Sequence, residues 1–253
     1  MINPMDLTGK QILVTGASSG IGRQTCITLS QLGAKVILIA RNKEKLEETI
    51  SMMEGEMHKY YVYDLLQIDE IESLINQIVK DEGKFDGFVH CAGVGDVIPL
   101  KATTYKMLDR IMKVHLYSFV EIIRIITKKK NINEGASIVG ISSMSTKKAD
   151  KGKVAYCTAK GAMDSSIMPM AIELGISKKI RINTINPGWV RTDMYHQYIE
   201  EFGEERMREQ ENKTFLGVSE VTDVANVIAY LLSPASSKIT GQSIVVDGGF
   251  TLW

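Results

Sequence analysis

Tyr156 and Lys160 stand one helical turn apart in Tyr156-Cys157-Thr158-Ala159-Lys160, and Ser143 lies thirteen residues upstream of the tyrosine, after an apolar run. A free phenol has a pKa of about 10 and is a poor proton donor near neutrality, whereas a neighbouring ammonium lowers that pKa. The i,i+4 spacing puts both groups on one helix face, where Lys160 is placed to stabilise the phenolate of Tyr156. Ser143 has a hydroxyl to donate to a carbonyl oxygen that gains negative charge during reduction. Tyr-x-x-x-Lys alone occurs on many helices by chance, so the reading depends on the elements around it.

Gln11 to Thr15 reads as a short buried strand. Gly16-Ala17-Ser18-Ser19-Gly20-Ile21-Gly22 follows, and then a helical stretch from Arg23 to about Leu32. Glycines at a strand-to-helix turn allow tight curvature, close approach to a pyrophosphate and close helix packing. The helix then aims its N-terminal N–H groups and positive dipole end at the phosphates. The competing reading is an ordinary Gly-rich loop, and the G-x-x-x-G-x-G spacing differs from the G-x-G-x-x-G of the common dinucleotide fingerprint.

That spacing, with Ser143, Tyr156 and Lys160 in this order, resembles the short-chain dehydrogenase/reductase family in its single-domain form, over nearly the whole chain. Within the family the best match is to bacterial 3-oxoacyl-carrier-protein reductases. Thr15 to Gly22 matches the phosphate loop, which assigns Gly16, Ser18, Ser19, Gly20, Ile21 and Gly22 to the cofactor. Asp64, followed by Leu65, matches the Asp that contacts adenine, and Ala92-Gly93 matches the end of the segment after strand four. Pro187, Gly188, Val190 and Thr192 match the segment that holds the nicotinamide carboxamide. Gly241 and Asp247-Gly248-Gly249 match the closing strand and turn.

The resemblance implies hydride transfer between a nicotinamide and a carbonyl or secondary alcohol. Tyr156 is then the proton donor, Ser143 polarises the carbonyl, and Lys160 lowers the pKa of Tyr156 and bonds the nicotinamide ribose. Two positions depart from the pattern. His115 stands where the family has an Asn that holds a water linking Lys to solvent, so relay and packing readings stand side by side. A relay histidine predicts an acid limb near the ordinary imidazole pKa. His90-Cys91 replaces the usual Asn pair before Ala92-Gly93. The cofactor expected is NADP(H): the second strand ends at Ala40-Arg41 with no carboxylate to repel a 2′-phosphate, and Arg41 offers a guanidinium to bind it.

The elements that must position these residues recur as apolar runs near 11–15, 35–40, 59–63, 85–90, 136–142, 180–186 and 243–247, mostly separated by helical patterns. Alternation of this kind predicts an α/β fold, a doubly wound Rossmann-type parallel sheet of about seven strands with helices on both faces. The 253 residues fit a single dinucleotide-binding and catalytic domain, 1–253. A substrate lid is expected near 193–218, with Tyr195, Tyr198, Phe202 and Phe215 among acidic helix formers. Pro169 should kink the catalytic helix or mark its irregular end.

A formal net charge of zero argues against a broad nucleic-acid or anionic-membrane footprint. No stretch approaches membrane-spanning length, and the cytoplasm is the expected compartment. Three widely spaced cysteines and four histidines without ligand spacing indicate neither a disulfide framework nor a metal site. Family resemblance implies a homotetramer or homodimer through helices near 105–128 and 155–174. The substrate reading is NADPH-dependent reduction of a carbonyl to a secondary alcohol, with a 3-oxoacyl thioester on acyl carrier protein in first place. Lys128-Lys129-Lys130 is the candidate basic patch for that acidic partner, although Ile172 takes the place of a second basic residue. Sugar, polyol, steroid or diketone substrates are the alternatives, and a non-catalytic NADP-binding sensor or assembly subunit is the alternative of another class.

Overall fold

Strands rich in Ile and Val that are separated by helices bury both faces only in a parallel sheet covered on both sides. The computed structural model describes residues 3–95 and 97–253, and it has this architecture. Its strands are β1 (Gln11–Thr15), β2 (Lys35–Ala40), β3 (Lys59–Val62), β4 (Phe85–His90), β5 (Ile132–Ile141), β6 (Arg181–Pro187) and β7 (Ser243–Val246). They form one seven-stranded sheet in the order β3-β2-β1-β4-β5-β6-β7, with every pairing parallel. Thr15 at the end of β1 is level with Ile39 of β2 on one side and His90 of β4 on the other. The chain leaves β1 and β4 in opposite directions there, which opens a crevice at their carboxyl ends.

Side chains alternate faithfully between the two faces. Leu13, Ile37, Phe88 and Ile138 join a core with the helices α3 (Ile71–Glu82), α5 (Ser118–Ile126) and α6 (Val154–Lys178). Ile12, Val14, Val36, Leu38 and Val139 join another with α1 (Gly20–Gln31) and α9 (Val221–Leu232). The remaining helices are α2 (Lys43–Ser51), α4 (Tyr105–Met112), α7 (Asp193–Phe202) and α8 (Glu204–Asn212).

Three elements differ from the sequence expectation. Helix α1 begins at Gly20 rather than Arg23, because the last glycines of the turn already form its first turn. Strand β5 begins at Ile132, where its first pairing with Phe85 precedes a register shift. Helix α6 does not end at Pro169 but continues to Lys178, with Ile167 and Ala171 buried on either side of the proline. Tertiary packing of those flanking turns outweighs the one hydrogen bond the proline forfeits.

Helices α4 and α5 are joined by a π-helical turn, Lys113–Tyr117, with His115 buried inside it. Its Val114 carbonyl accepts from His90 Nε2 at 3.1 Å and from Ser118 Oγ at 2.7 Å. The other ring nitrogen of His90 meets the Thr15 hydroxyl at 2.9 Å. Burial, aided by Lys160, pushes the His90 pKa down to about 3, so its ring is neutral and donates through Nε2. One imidazole thereby ties β1, β4 and the π turn together.

The glycine-rich turn is held by two close approaches. Gly16 has φ +68°, and a Cβ there would lie 2.8 Å from Cys91 and Ala92 backbone atoms. At Gly22 a Cβ would lie 2.1 Å from the Gly16 carbonyl oxygen. Gly22→Ala must therefore push α1 off the turn. It is expected to lower stability by ~1–3 kcal/mol in urea denaturation, the usual cost of overpacking, and to weaken nicotinamide dinucleotide binding. Unchanged stability and binding in that variant would remove the steric account of this glycine.

Candidate active site

The carboxyl ends of the central strands open into one cleft of ≈ 1340 Å³, and every residue assigned from sequence to the cofactor or to the chemistry lines it. The glycines of the turn, Arg41, Asp64 and Leu65 share that lining with Ser143, Tyr156, Lys160, His115, Pro187, Gly188, Val190 and Thr192.

Ser143 follows β5 and caps the short turn Met144–Thr146, its Oγ accepting the Ser145 N–H at 3.1 Å. That bond occupies a lone pair and leaves the hydroxyl proton to be donated elsewhere. Tyr156 lies half-buried in the first turns of α6. Lys160, one turn on, is 4 % exposed, and its Nζ donates to the Ile141 carbonyl at 2.6 Å. Burial pushes the lysine pKa down to about 7, with Cys91 and Asp164 opposing. Burial also raises the phenol pKa of Tyr156, with Ser143 opposing, and Lys160 is not among the groups that set it. The expected lowering of Tyr156 by Lys160 is thus corrected: the lysine Nζ bonds a backbone carbonyl and lies 5.8 Å from the centre of the phenol ring. Ser142, adjacent to Ser143, donates to the Lys160 carbonyl at 3.2 Å and so ties the end of β5 to α6.

A buried polar network that sequence reading missed fixes the loop carrying Ser143. Asn186 Nδ2 donates to the Ser143 carbonyl at 3.1 Å and to Asp164 Oδ2 at 2.7 Å. Asp164 also accepts from Thr146 Oγ1 at 2.9 Å and Thr184 Oγ1 at 2.8 Å. The signal was present in the spacing: Asp164 is i+4 from Lys160 on α6, and Thr184 and Asn186 share one face of β6. The network joins β5, α6 and β6 beside the candidate chemistry, and Asn186 Oδ1 is left without a partner among the described residues.

His115 is 1 % exposed, with its ring edge-on to Tyr156 at 5.6 Å between centres. Its Nε2 is 2.8 Å from the Val94 carbonyl and 3.0 Å from the Val94 N–H, and its Nδ1 has no partner among the described residues. Gly93 makes room for it, since a Cβ there would lie 2.7 Å from the imidazole Cε1. Burial and then Lys160 hold its pKa well below the ordinary value. The acid limb expected near the usual imidazole pKa is therefore corrected: His115 stays neutral there, because protonation would bury a second cation beside Lys160.

The cofactor end has the shape for a pyrophosphate. The turn from Gly16 to Gly22 has no side chains at its glycines and leads into the N-terminus of α1, and Gly20 has φ +50°. Thr192 caps α7, accepting the Tyr195 N–H at 3.3 Å, and its methyl group closes over Gly20. Asp64 Oδ1 accepts the Leu66 N–H at 3.0 Å, and Arg41 is exposed just past β2. Among the described residues no group of acidic, His or Cys side chains has the geometry of a metal site, and no helix is long and apolar enough to cross a membrane.

The buried lysine has a measurable signature. An unfolded lysine keeps its proton up to about pH 10, whereas folded Lys160 releases it near 7. Between those values the unfolded chain binds more protons, so this group makes stability rise with pH. Lys160→Met should be more stable than the parent by ~0.5–2 kcal/mol at about pH 6, and the gap should close as pH rises towards 10. Urea melts of both proteins across that range decide it; a constant gap would mean that Lys160 is not deprotonated by burial.

Comparison with known proteins agrees with this architecture. A family model described as Enoyl-(Acyl carrier protein) reductase matches residues 16–251. A D-erythrulose reductase of Gallus gallus is 33% identical over 97% of each chain, and an L-xylulose reductase of Caenorhabditis elegans is 31% identical over 97% of each. A 3-oxoacyl-[acyl-carrier-protein] reductase of Thermotoga maritima is 30% identical over 98% of this chain and 100% of its own. Among solved structures, a short-chain type dehydrogenase/reductase from Mycobacterium ulcerans superposes with a TM-score of 0.89 at 31% identity, covering 98% of this chain and 91% of that one. A 7α-hydroxysteroid dehydrogenase complexed with NADH and 7-oxo glycochenodeoxycholic acid gives 0.91 at 27%, covering 98% of each. The chain belongs to the short-chain dehydrogenase/reductase family, oxidoreductases that bind a nicotinamide cofactor and interconvert an alcohol and its carbonyl.

Proposed function

We propose that this enzyme uses NADPH to reduce the ketone of a sugar-like hydroxyketone to a secondary alcohol. The observation that carries the reaction is the convergence of Ser143, Tyr156 and Lys160 on one wall of the cleft, beside the glycine turn. The relatives named as D-erythrulose and L-xylulose reductases favour the sugar class over the 3-oxoacyl thioester expected first. The basic triplet meant for a carrier protein also has a local role. Lys128 pairs with Glu72, which Arg124 bonds as well at 3.1 Å, so that charge is already engaged within the fold.

A bound nicotinamide dinucleotide supplies the hydride to the carbonyl carbon. Ser143 donates its free hydroxyl proton as a hydrogen bond to the carbonyl oxygen, and Tyr156 transfers its phenolic proton to the same atom. Lys160, poised between charged and neutral forms, resupplies that proton. His115 acts as a positioning group, bracing the Tyr156 ring and fixing Val94. Asp64 and Leu65 flank the adenine, and the Pro187–Thr192 segment holds the carboxamide. Arg41 takes the 2′-phosphate at the end of β2, where Ala40 leaves no carboxylate to repel it.

The segment 193–218 serves as the cover over the substrate in this reading. It contributes Tyr195 and Met207 to a small core with Trp189, Met144 and Phe250, and α7 breaks from α8 at Gly203. Met168, Ile172 and Ile176 form an exposed i, i+4, i+8 stripe on α6, which suits a self-association surface in a dimer or tetramer.

Tyr156→Phe should cut kcat for erythrulose or xylulose by ~10²–10⁴, with NADPH affinity nearly intact. Retention of more than about a tenth of kcat would exclude the tyrosine as donor. Failure of the parent to oxidise NADPH with sugars, acetoacetyl thioesters, steroids or diketones, despite tight NADPH binding, would favour a sensor role.

Arg41→Ala should weaken NADPH by about 10- to 100-fold and NADH far less, as loss of one charge-assisted contact to phosphate predicts. Isothermal titration with both cofactors tests this, and equal losses would remove the 2′-phosphate assignment.

A further inference from the structure

Lys153 immediately precedes α6, one helical turn before Tyr156, and both side chains line the same cleft. Its Nζ lies 5.1 Å from the centre of the Trp189 ring and 5.3 Å from that of Tyr198. Among the described residues no carboxylate lies within ion-pair distance of it. Burial pushes its pKa down, with Asp150 opposing at longer range and Arg206 adding to the fall. Trp189, on the same wall, is 8 % exposed, and its indole Nε1 is buried without a hydrogen-bond partner among the described residues. The loop from Lys147 to Lys153 carries four lysines against Asp150, and Lys147 and Lys151 are exposed. Asp193 and Glu201 line the same cleft from α7.

We propose that Lys153, held against the rings of Trp189 and Tyr198, is a specificity site for an anionic group, carboxylate or phosphate, carried by the carbonyl substrate a few bonds from the reacting carbon. The inference rests on the carbonyl-reduction reading and narrows it from neutral hydroxyketones to acidic ones. An ammonium makes a charge-assisted hydrogen bond to either acceptor, and an anionic one adds a Coulomb attraction that a hydroxyl lacks. The aromatic faces hold the cation in place without neutralising it, as cation–π contacts do. One helical turn separates Lys153 from Tyr156, so the anion and the reacting oxygen sit on adjacent steps of one helix face.

Substrate pairs that differ by one charge decide the matter, each assayed with NADPH. Levulinate against methyl levulinate tests a carboxylate, and dihydroxyacetone phosphate against dihydroxyacetone tests a phosphate. In at least one pair kcat/KM should favour the charged member by about 10- to 100-fold, and Lys153→Met should bring that ratio within about threefold of unity while Lys153→Arg preserves it. Binding gives a readout independent of turnover. In a Trp253→Phe background, where Trp189 is the remaining indole, the NADP-loaded enzyme is titrated with 4-hydroxypentanoate or glycerol 3-phosphate. One of them should change the indole fluorescence in the parent and not in Lys153→Met. Ratios near unity in both pairs, or a preference that survives in Lys153→Met, would overturn the site. Lys153-dependent anion binding without any carbonyl turnover would keep the site and overturn the reductase reading instead.

Discussion

Lys160 is an ammonium buried at the carboxyl end of β5, and much of the site follows from the cost of keeping it there. Removing a cation from water is unfavourable unless dipoles or opposite charges replace the solvent. The Ile141 carbonyl supplies the direct contact, and Asp164, on the next turn of α6, supplies the nearest opposing charge. Asp164 in turn cannot be left unpaired, and Thr146, Thr184 and Asn186 satisfy it. Asn186 also holds the Ser143 carbonyl, so the lysine's environment and the position of the proposed hydrogen-bond donor are set by one network.

The sheet topology makes that convergence possible. Ser143, Lys160 and Asn186 come from β5, α6 and β6, which neighbour one another in space and in sequence. The glycine turn comes from β1 and reaches the same crevice because β1 lies beside β4. Parallel strands point all their carboxyl ends one way, so residues far apart in sequence arrive at one edge. The contact between Gly16 and the Ala92 backbone is the closest point of that arrangement, and a side chain there would hold the two halves apart.

Patterns with a fixed period were legible in the sequence. Strands such as Lys35–Ala40, with its five buried positions in a row, read directly as interior parallel strands, and the glycine turn could be placed between β1 and α1. Interactions that depend on three-dimensional proximity were not legible. The π turn at Lys113–Tyr117 leaves the 3.6-residue pattern of its flanking helices almost undisturbed, so nothing in the residue order announces it. The direction of Lys160 Nζ was equally hidden, because helical spacing places a side chain on a face without fixing which neighbour it bonds. Lys153 was hidden for the same reason, since only the fold brings Trp189 and Tyr198 against it.

The two histidines at positions where the family carries amides have a common explanation in their burial, to which Lys160 adds. His90 and His115 both lie close enough to Lys160 for it to oppose their protonation, and both are buried. Each is therefore a neutral imidazole, with one donor and one acceptor, which is the same pairing capacity that a simple amide contact uses. At His90 the substitution is complete: the ring accepts from Thr15 and donates to Val114, as a side-chain amide bridging two elements would. At His115 one nitrogen serves Val94 and the other is left without a partner beside Tyr156. The larger ring reaches further than an amide and needs the space that Gly93 leaves. Burial, with Lys160 adding to it, thus keeps both rings in the protonation state in which they can stand in for amides. The three positions are electrostatically linked, since a cation at Lys160 opposes a second one at either ring.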